Sequence, residues 1–286
     1  MPARYPAVAG MFYPEGENAC REKVRACLDV EVEAVEGTIW GGMVPHAGWD
    51  FSGPTAGRVF AALNTQDPPE AFIFFGAIHR GGVGAPSLYG SGEWRTPLGT
   101  LPVDEELAEL LLDELAGDVV NRPQAHAYEH SIEVQLPFVK YRFPEAKILP
   151  LAMPPVSQAH DLGREIAKAT EGIERRIVAI ASSDLTHYGP RYGFTPAGTG
   201  ASGLDWMREN DRRLLQLVEE MRASEIVGEA QAHHNACGAG AIAAAMGYAL
   251  GRGADKGIVL HYTSSHDVMP MGQDAVGYGA AVFITR

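Results

Sequence analysis

The chain has 286 residues, 36 acidic and 23 basic, for a formal net charge of −13; phosphate backbones repel such a chain, so nucleic acid is not the expected partner. At 46% hydrophobic and 21% charged its composition is that of a packed globular protein, and no apolar run reaches the roughly 20 residues that cross a bilayer. The first ten residues lack the blocks of a secretion signal, so a cytoplasmic protein without membrane contact is expected.

Short apolar runs alternate with amphipathic stretches, with no repeat or linker to divide them, which predicts one domain over residues 1–286. Cys20 and Cys27 lie seven positions apart in a helical pattern, roughly 10 Å along the axis. That is too far for a disulfide, so both read as packing residues. Strands are predicted at Thr38–Val44, Ala71–Gly76, Lys147–Ala152, Arg176–Ala181, Ile258–Tyr262 and Ala275–Ile284. Several are apolar on both faces, as in a sheet covered by helices on each side. Ser52 and Pro54 read as the cap and first turn of a helix through Leu63, and Asp104 as the cap of a second, ended by Gly117. Further helices are predicted after Ser157, over Asp205–Arg222, and over Ala236–Leu250 after Asn235. The pattern predicts an α/β fold, a three-layer α/β/α sandwich with a mostly parallel or mixed central sheet.

The chain has 10 histidines, and their placement points to chemistry. His46 follows one apolar strand in Val44-Pro45-His46-Ala47-Gly48. His79 follows another in Gly76-Ala77-Ile78-His79-Arg80. Asp184 and His187 follow a third in Ser182-Ser183-Asp184-Leu185-Thr186-His187-Tyr188. Ligands of open α/β sheets gather outside the carboxyl ends of the strands, so the three clusters can converge. Cys237 is expected at a helix N-terminus, where thiolate is favoured; its other reading is a small buried hydrophobe. His126 and His130, four apart, would share a helix face, as would Glu129 and Glu133. His130 then either joins the pocket or lies on a solvated face. Two imidazoles and one anion make a facial metal triad with open positions for substrate and oxygen. The third donor is Cys237 unless Asp184 takes that place. His187 beside Asp184 suits a general base, and Tyr188 and His130 suit hydrogen-bond donors to a bound oxygen.

With Val8-Ala9-Gly10-Met11-Phe12-Tyr13-Pro14, Glu129-His130-Ser131-Ile132-Glu133 and Asn235-Ala236-Cys237-Gly238, these motifs resemble the Memo family, whose prokaryotic members are called AmmeMemoRadiSam system protein B. That family is similar in fold to the class III extradiol dioxygenases. The resemblance implies metal binding by His46, His79 and Cys237, with Asp184 and His187 as further pocket residues. In the related dioxygenases a glutamate completes the iron triad and a histidine deprotonates the substrate. Here Cys237 stands at the glutamate's place and His187 matches the base. The expected activity is that of an iron(II)-dependent, dioxygenase-like oxidoreductase, with copper or zinc as other metals. Its partners would be a small aromatic or phenolic substrate and dioxygen. Animal members are associated with signalling and phosphotyrosine-peptide binding. A catalytically silent protein binding metal, peptide or protein partner is therefore one alternative, and a cysteine or zinc hydrolase is another.

Overall fold

The computed structural model describes residues 3–79, 83–270 and 272–286. Met1 and Pro2, read above with the first ten residues, and Arg80 beside His79 lie outside them. In chain order the strands are β1 (Ala3–Arg4), β2 (Thr38–Val44), β3 (Ala71–Gly76), β4 (Ser87–Leu88), β5 (Glu93–Thr96), β6 (Gly99–Pro102), β7 (Val120–Asn121), β8 (Lys147–Ala152), β9 (Ile177–Ser182), β10 (His187–Tyr188), β11 (Lys256–Ser264) and β12 (Ala275–Thr285). The α-helices are α1 (Glu17–Leu28), α2 (Trp49–Ala62), α3 (Glu105–Glu114), α4 (Leu136–Arg142), α5 (Ala159–Ala169), α6 (Ala201–Glu219), α7 (Ile226–His233), α8 (Ala239–Gly251) and α9 (Ser265–Val268).

Among the described residues nine strands form one mixed sheet, and β1, β5 and β6 form a second, smaller one. The centre of the large sheet is parallel, in the order β2, β9, β3, β8; its margins turn antiparallel where β12 joins β2 and β4 joins β8. Every residue of β3 and β9 is buried. Alternate side chains leave the sheet on opposite sides, as strand geometry requires. Ile73, Phe75, Leu149, Leu151, Ala179 and Ala181 meet α3, α5, α6 and α8 in one core. Phe72, Phe74, Ile148, Val178 and Ile180 meet α1, α2 and α4 in the other. The expected three-layer α/β/α architecture is thereby realised. Cys20 and Cys27 are buried in α1 as packing residues, and burial pushes their thiols up to about 12 and about 11.

Several helix boundaries differ from the sequence reading. Helix α2 begins at Trp49, whose N–H donates to Phe12 O at 2.8 Å, while the Ser52 hydroxyl donates to Ala47 O at 3.0 Å and caps nothing. Asp104 does cap α3, accepting from Leu107 N at 3.3 Å. Helix α6 ends at Glu219 rather than Arg222. Met221 adopts a left-handed φ of 54°, and the Arg222 N–H returns to Leu217 O at 2.9 Å. A closing residue of this kind is usually glycine, and a methionine there leaves no local signal. Residues 127–132 are not helical: the Glu129 carboxylate takes the N–H groups of His130 and Ser131, both at 2.9 Å, and holds the chain in turns.

Candidate metal centre

Strands β2, β9 and β3 are parallel neighbours, so their carboxyl ends open side by side. His46 follows β2, Asp184 and His187 follow β9, and His79 follows β3. Among the described residues, His46, His79 and His130 form a group whose potential ligand atoms all lie within 4.8 Å of one another. Their ring centroids are 4.7 to 5.3 Å apart, His79 stacked on His130 and His46 edge-on to both. His130 therefore joins the pocket, the first of the two alternatives left open by its spacing.

Cys237 comes from the other side, on the loop between α7 and α8. Its Sγ lies 3.2 Å from His46 Nε2 and accepts from Asp184 N at 3.3 Å. It does not sit on the first turn of α8, because Gly238 is the N-cap and Ala239 the first helical residue. The thiol is nevertheless acidic. Burial pushes it up, but the adjoining His46 and His79 imidazoles outweigh burial and bring it down to about 6. The acidity expected of a helix end is supplied by imidazole neighbours. The same sulfur, with the Asp184 carboxylate, raises His46 against the downward push of its own burial.

Buried partners fix which ring nitrogens are free. The Ser182 hydroxyl donates its single proton to Ser131 O at 2.7 Å and accepts from Gln135 Nε2 at 3.2 Å. His46 Nδ1, 3.1 Å from the same oxygen, must then be the donor, which leaves Nε2, 3.2 Å from Cys237 Sγ, as the nitrogen available to a metal ion. His79 Nδ1 lies 3.0 Å from Glu129 Oε1. Burial raises Glu129, but the side-chain and backbone bonds from His79 prevail and hold it far below the usual carboxylate range. His79 Nδ1 therefore donates, leaving Nε2 to the site. Imidazoles whose far N–H is tied to a hydroxyl or carboxylate are the usual form of metal-ligating histidines. His130 differs: burial and the His46 charge push it down to about 4, keeping it neutral.

This donor set fits a transition-metal ion. Two imidazole nitrogens with committed partners face an acidic thiol, and a third imidazole stands beside them. The 3.2 Å from nitrogen to sulfur is near the ~3.5 Å that metal–ligand bonds of 2.0 to 2.3 Å would set. Asp184, the alternative third donor, is turned elsewhere. Its Oδ1 accepts from His46 N at 2.7 Å, and its Oδ2 lies 3.8 Å from His187 Nε2.

The three imidazoles line a pocket of about 590 Å³, whose other walls include Phe12, Phe51, Asp184, His187, Arg191, Tyr192 and Asp274. The His187 ring stacks on Tyr192 with centroids 5.1 Å apart. Burial lowers His187, yet Asp184 and the Cys237 sulfur raise it above the ordinary histidine value. Two sequence expectations fail here. Tyr188 is buried away from the pocket, donating its hydroxyl to Gly198 O at 2.7 Å. His126 shares no helix face with His130: it is buried against Trp94 and Tyr89, its Nε2 2.8 Å from Ser87 O. Glu133 is structural, accepting from Arg4, Ala7, Val8 and Tyr13 to fasten the N-terminal segment.

A family model described as Memo-like protein matches residues 4–282. The chain belongs to the Memo family. A MEMO1 family protein of Thermococcus onnurineus is 39% identical over 98% of this chain and 99% of its own length. One from Pyrococcus abyssi is 37% identical over 98% of each. Among solved structures, that of an uncharacterized protein from Escherichia coli K12 superposes with a TM-score of 0.51 and 13% identity. It covers 84% of this chain and 99% of that one, a likeness of fold. Phe12, His46, His79, His130, Asp184 and His187, from motifs distant in the Memo sequence, thus line one pocket.

Proposed function

We propose that this Memo-family chain is a non-haem iron oxidoreductase resembling the extradiol dioxygenases, acting on a small aromatic or phenolic substrate with dioxygen. The observation that carries this reading is the meeting of three imidazoles and an acidic thiol beside an aromatic-walled pocket. His46, His79 and Cys237 would hold the metal, with His130 adjoining. When bound, iron(II) supplies a Lewis acid and a one-electron couple at the open face of the donor set. The residues of the chain do the rest. Phe12 and Tyr192 offer faces for an aromatic ring. The His187–Asp184 pair takes and holds the phenolic proton, and neutral His130 offers a hydrogen bond near the reacting oxygens. The same reading places the chain in the cytoplasm, where its free cysteines stay reduced; no helix among the described residues is long and apolar enough to cross a membrane.

A second reading, a metal- or peptide-binding protein without turnover, draws on Cys237, a thiol where the related enzymes use a carboxylate. Anaerobic reconstitution with iron(II), followed by oxygen-uptake assays over a catechol panel, separates these readings. About one iron per chain with substrate-dependent oxygen uptake is expected. His46→Ala and His79→Ala should each abolish metal uptake with the circular dichroism unchanged. Tight metal binding without oxygen uptake would transfer the conclusion to the silent reading.

A further inference from the structure

Of the described residues lining the pocket, Arg191 is the only arginine or lysine. The pocket's two acids are engaged. Asp184 accepts from His46 N and faces His187, and Asp274 Oδ1 accepts the Arg191 backbone N–H at 2.9 Å. The Arg191 guanidinium has no ion pair or hydrogen bond with any described residue.

This cation is mounted on a rigid turn. Gly189 N donates to Phe194 O at 2.8 Å and Phe194 N returns to Gly189 O at 3.2 Å, closing residues 189–194 into a loop. Pro190 fixes the first position, and Gly193 closes the turn in the left-handed region. Gly189 has a φ of +124°, and a Cβ there would stand 2.3 Å from Asp274 Oδ1, so the turn seats on Asp274 only because this residue is glycine. The next side chain, Tyr192, is the one stacked on His187. An unpaired guanidinium, an aromatic face and the proposed base therefore share one wall. Arg191 is exposed at the rim of the pocket, and on a chain whose overall charge of −13 repels anions at long range its guanidinium offers a local positive site at the pocket mouth. Its planar fork matches a carboxylate.

We propose that Arg191 is a specificity residue, pairing with a carboxylate on the substrate, so that the chain selects aryl carboxylates over neutral aryl compounds. The ring of such a ligand lies against Tyr192 and its phenolic end faces His46 and His79. The inference rests on the phenolic reading above for the identity of the ring, while the ion pair itself requires no metal.

Calorimetric titration of the full chain, with and without iron(II) under anaerobic conditions, tests it with three probes: 3,4-dihydroxyphenylacetate, its neutral primary amide, and phenylacetate. The parent should bind the acid at least tenfold tighter than the amide, a preference that shrinks with added salt. R191Q should bring the ratio close to one, R191K should retain part of it, and neither should move the thermal midpoint. Equal binding of acid and amide by the parent, or a preference surviving in R191Q, overturns the inference and leaves the phenolic reading intact. Arg191-dependent binding of phenylacetate as tight as that of the diphenol upholds the inference and removes the phenolic reading. Failure of all three probes to bind overturns the inference.

Discussion

His46 shows how much of a metal site lies behind its ligands. Its useful lone pair is on Nε2 only because Ser182, already donating to Ser131 O, must accept from Nδ1. Ser182→Ala removes that acceptor, frees the tautomer and leaves Gln135 Nε2 with one partner fewer. Loss of such a supporting bond typically costs 10- to 100-fold in metal affinity. Competition against a chelator should show a drop of that order with unchanged helix content, and a change under threefold would dispose of the tautomer argument. His46, His79, Asp184 and His187 were legible in the sequence because each follows an apolar strand, which puts it at a sheet end whatever the strand order. Ser182 and Glu129 were not. Glu129 acts on His79 across 50 positions and on its own neighbours' N–H groups, a role visible only in space. Tyr188 misled for the converse reason: it adjoins His187 in sequence, but successive strand side chains point to opposite faces.

At the scale of elements, the difference between Asp104 and Ser52 shows what local reading can reach. Both residue types commonly open helices, yet α2 begins three residues before Ser52 because Phe12, far away in sequence, supplies the acceptor for Trp49 N. Asp104 is a cap with a second duty: its Oδ1 accepts from Leu107 N and its Oδ2 takes Arg175 Nη1 at 2.8 Å, with the carboxylate fully buried. Asp104→Ala should therefore cost about 2 kcal/mol in urea unfolding, roughly 1 for the cap and the rest for the lost ion pair, because Arg175 keeps its second partner Glu106 at 3.3 Å. Asp104→Asn keeps the cap and should lose only the second part; parity of Asn with the parent would mean that the Arg175 pair contributes nothing. The long strands were readable from apolar runs, three of them with the same bounds as observed. The two-residue strands β1, β4, β7 and β10 are too short to carry any period. The close contact of α5 with α8 is of intermediate legibility. Small residues suggested a tight fit, but only the coordinates put a Cβ at Gly163 2.0 Å from Ala244 O. Gly163→Ala should destabilise the chain by about 3 kcal/mol, at the upper end of overpacking costs, read as a lower urea midpoint.

Across the whole molecule the small sheet must be joined to the large one, and His126 sits at that junction. Its Nε2–H donates to Ser87 O in β4, its ring meets Trp94 of β5, and its carbonyl accepts from Arg4 Nε of β1 at 2.8 Å. Nδ1 is buried with no partner among the described residues. A proton there would place charge in a dry site beside Arg4, and burial foremost pushes the imidazole down to about 4 from its ordinary 6.5. The folded chain thus prefers neutral His126 more strongly than the unfolded chain does. The resulting stability is fully present above pH 6.5 and drains away as pH falls toward 4. Two and a half pH units correspond to about 3 kcal/mol at this one site. Buried Asp211 works the other way. Burial raises it to about 6, so its contribution is complete below about pH 4 and disappears as pH rises through 6, and the two slopes oppose each other across the same window. The wild-type stability profile alone would hide both, which makes the difference between a variant and its parent the quantity to measure. His126→Gln, which can still donate to Ser87 O, should start below the parent at pH 7 and regain about 3 kcal/mol relative to it by pH 4. Chemical denaturation at half-unit steps of pH would trace that gap, and a gap that stays level from pH 7 to 4 would show that His126 holds no special protonation state in the fold.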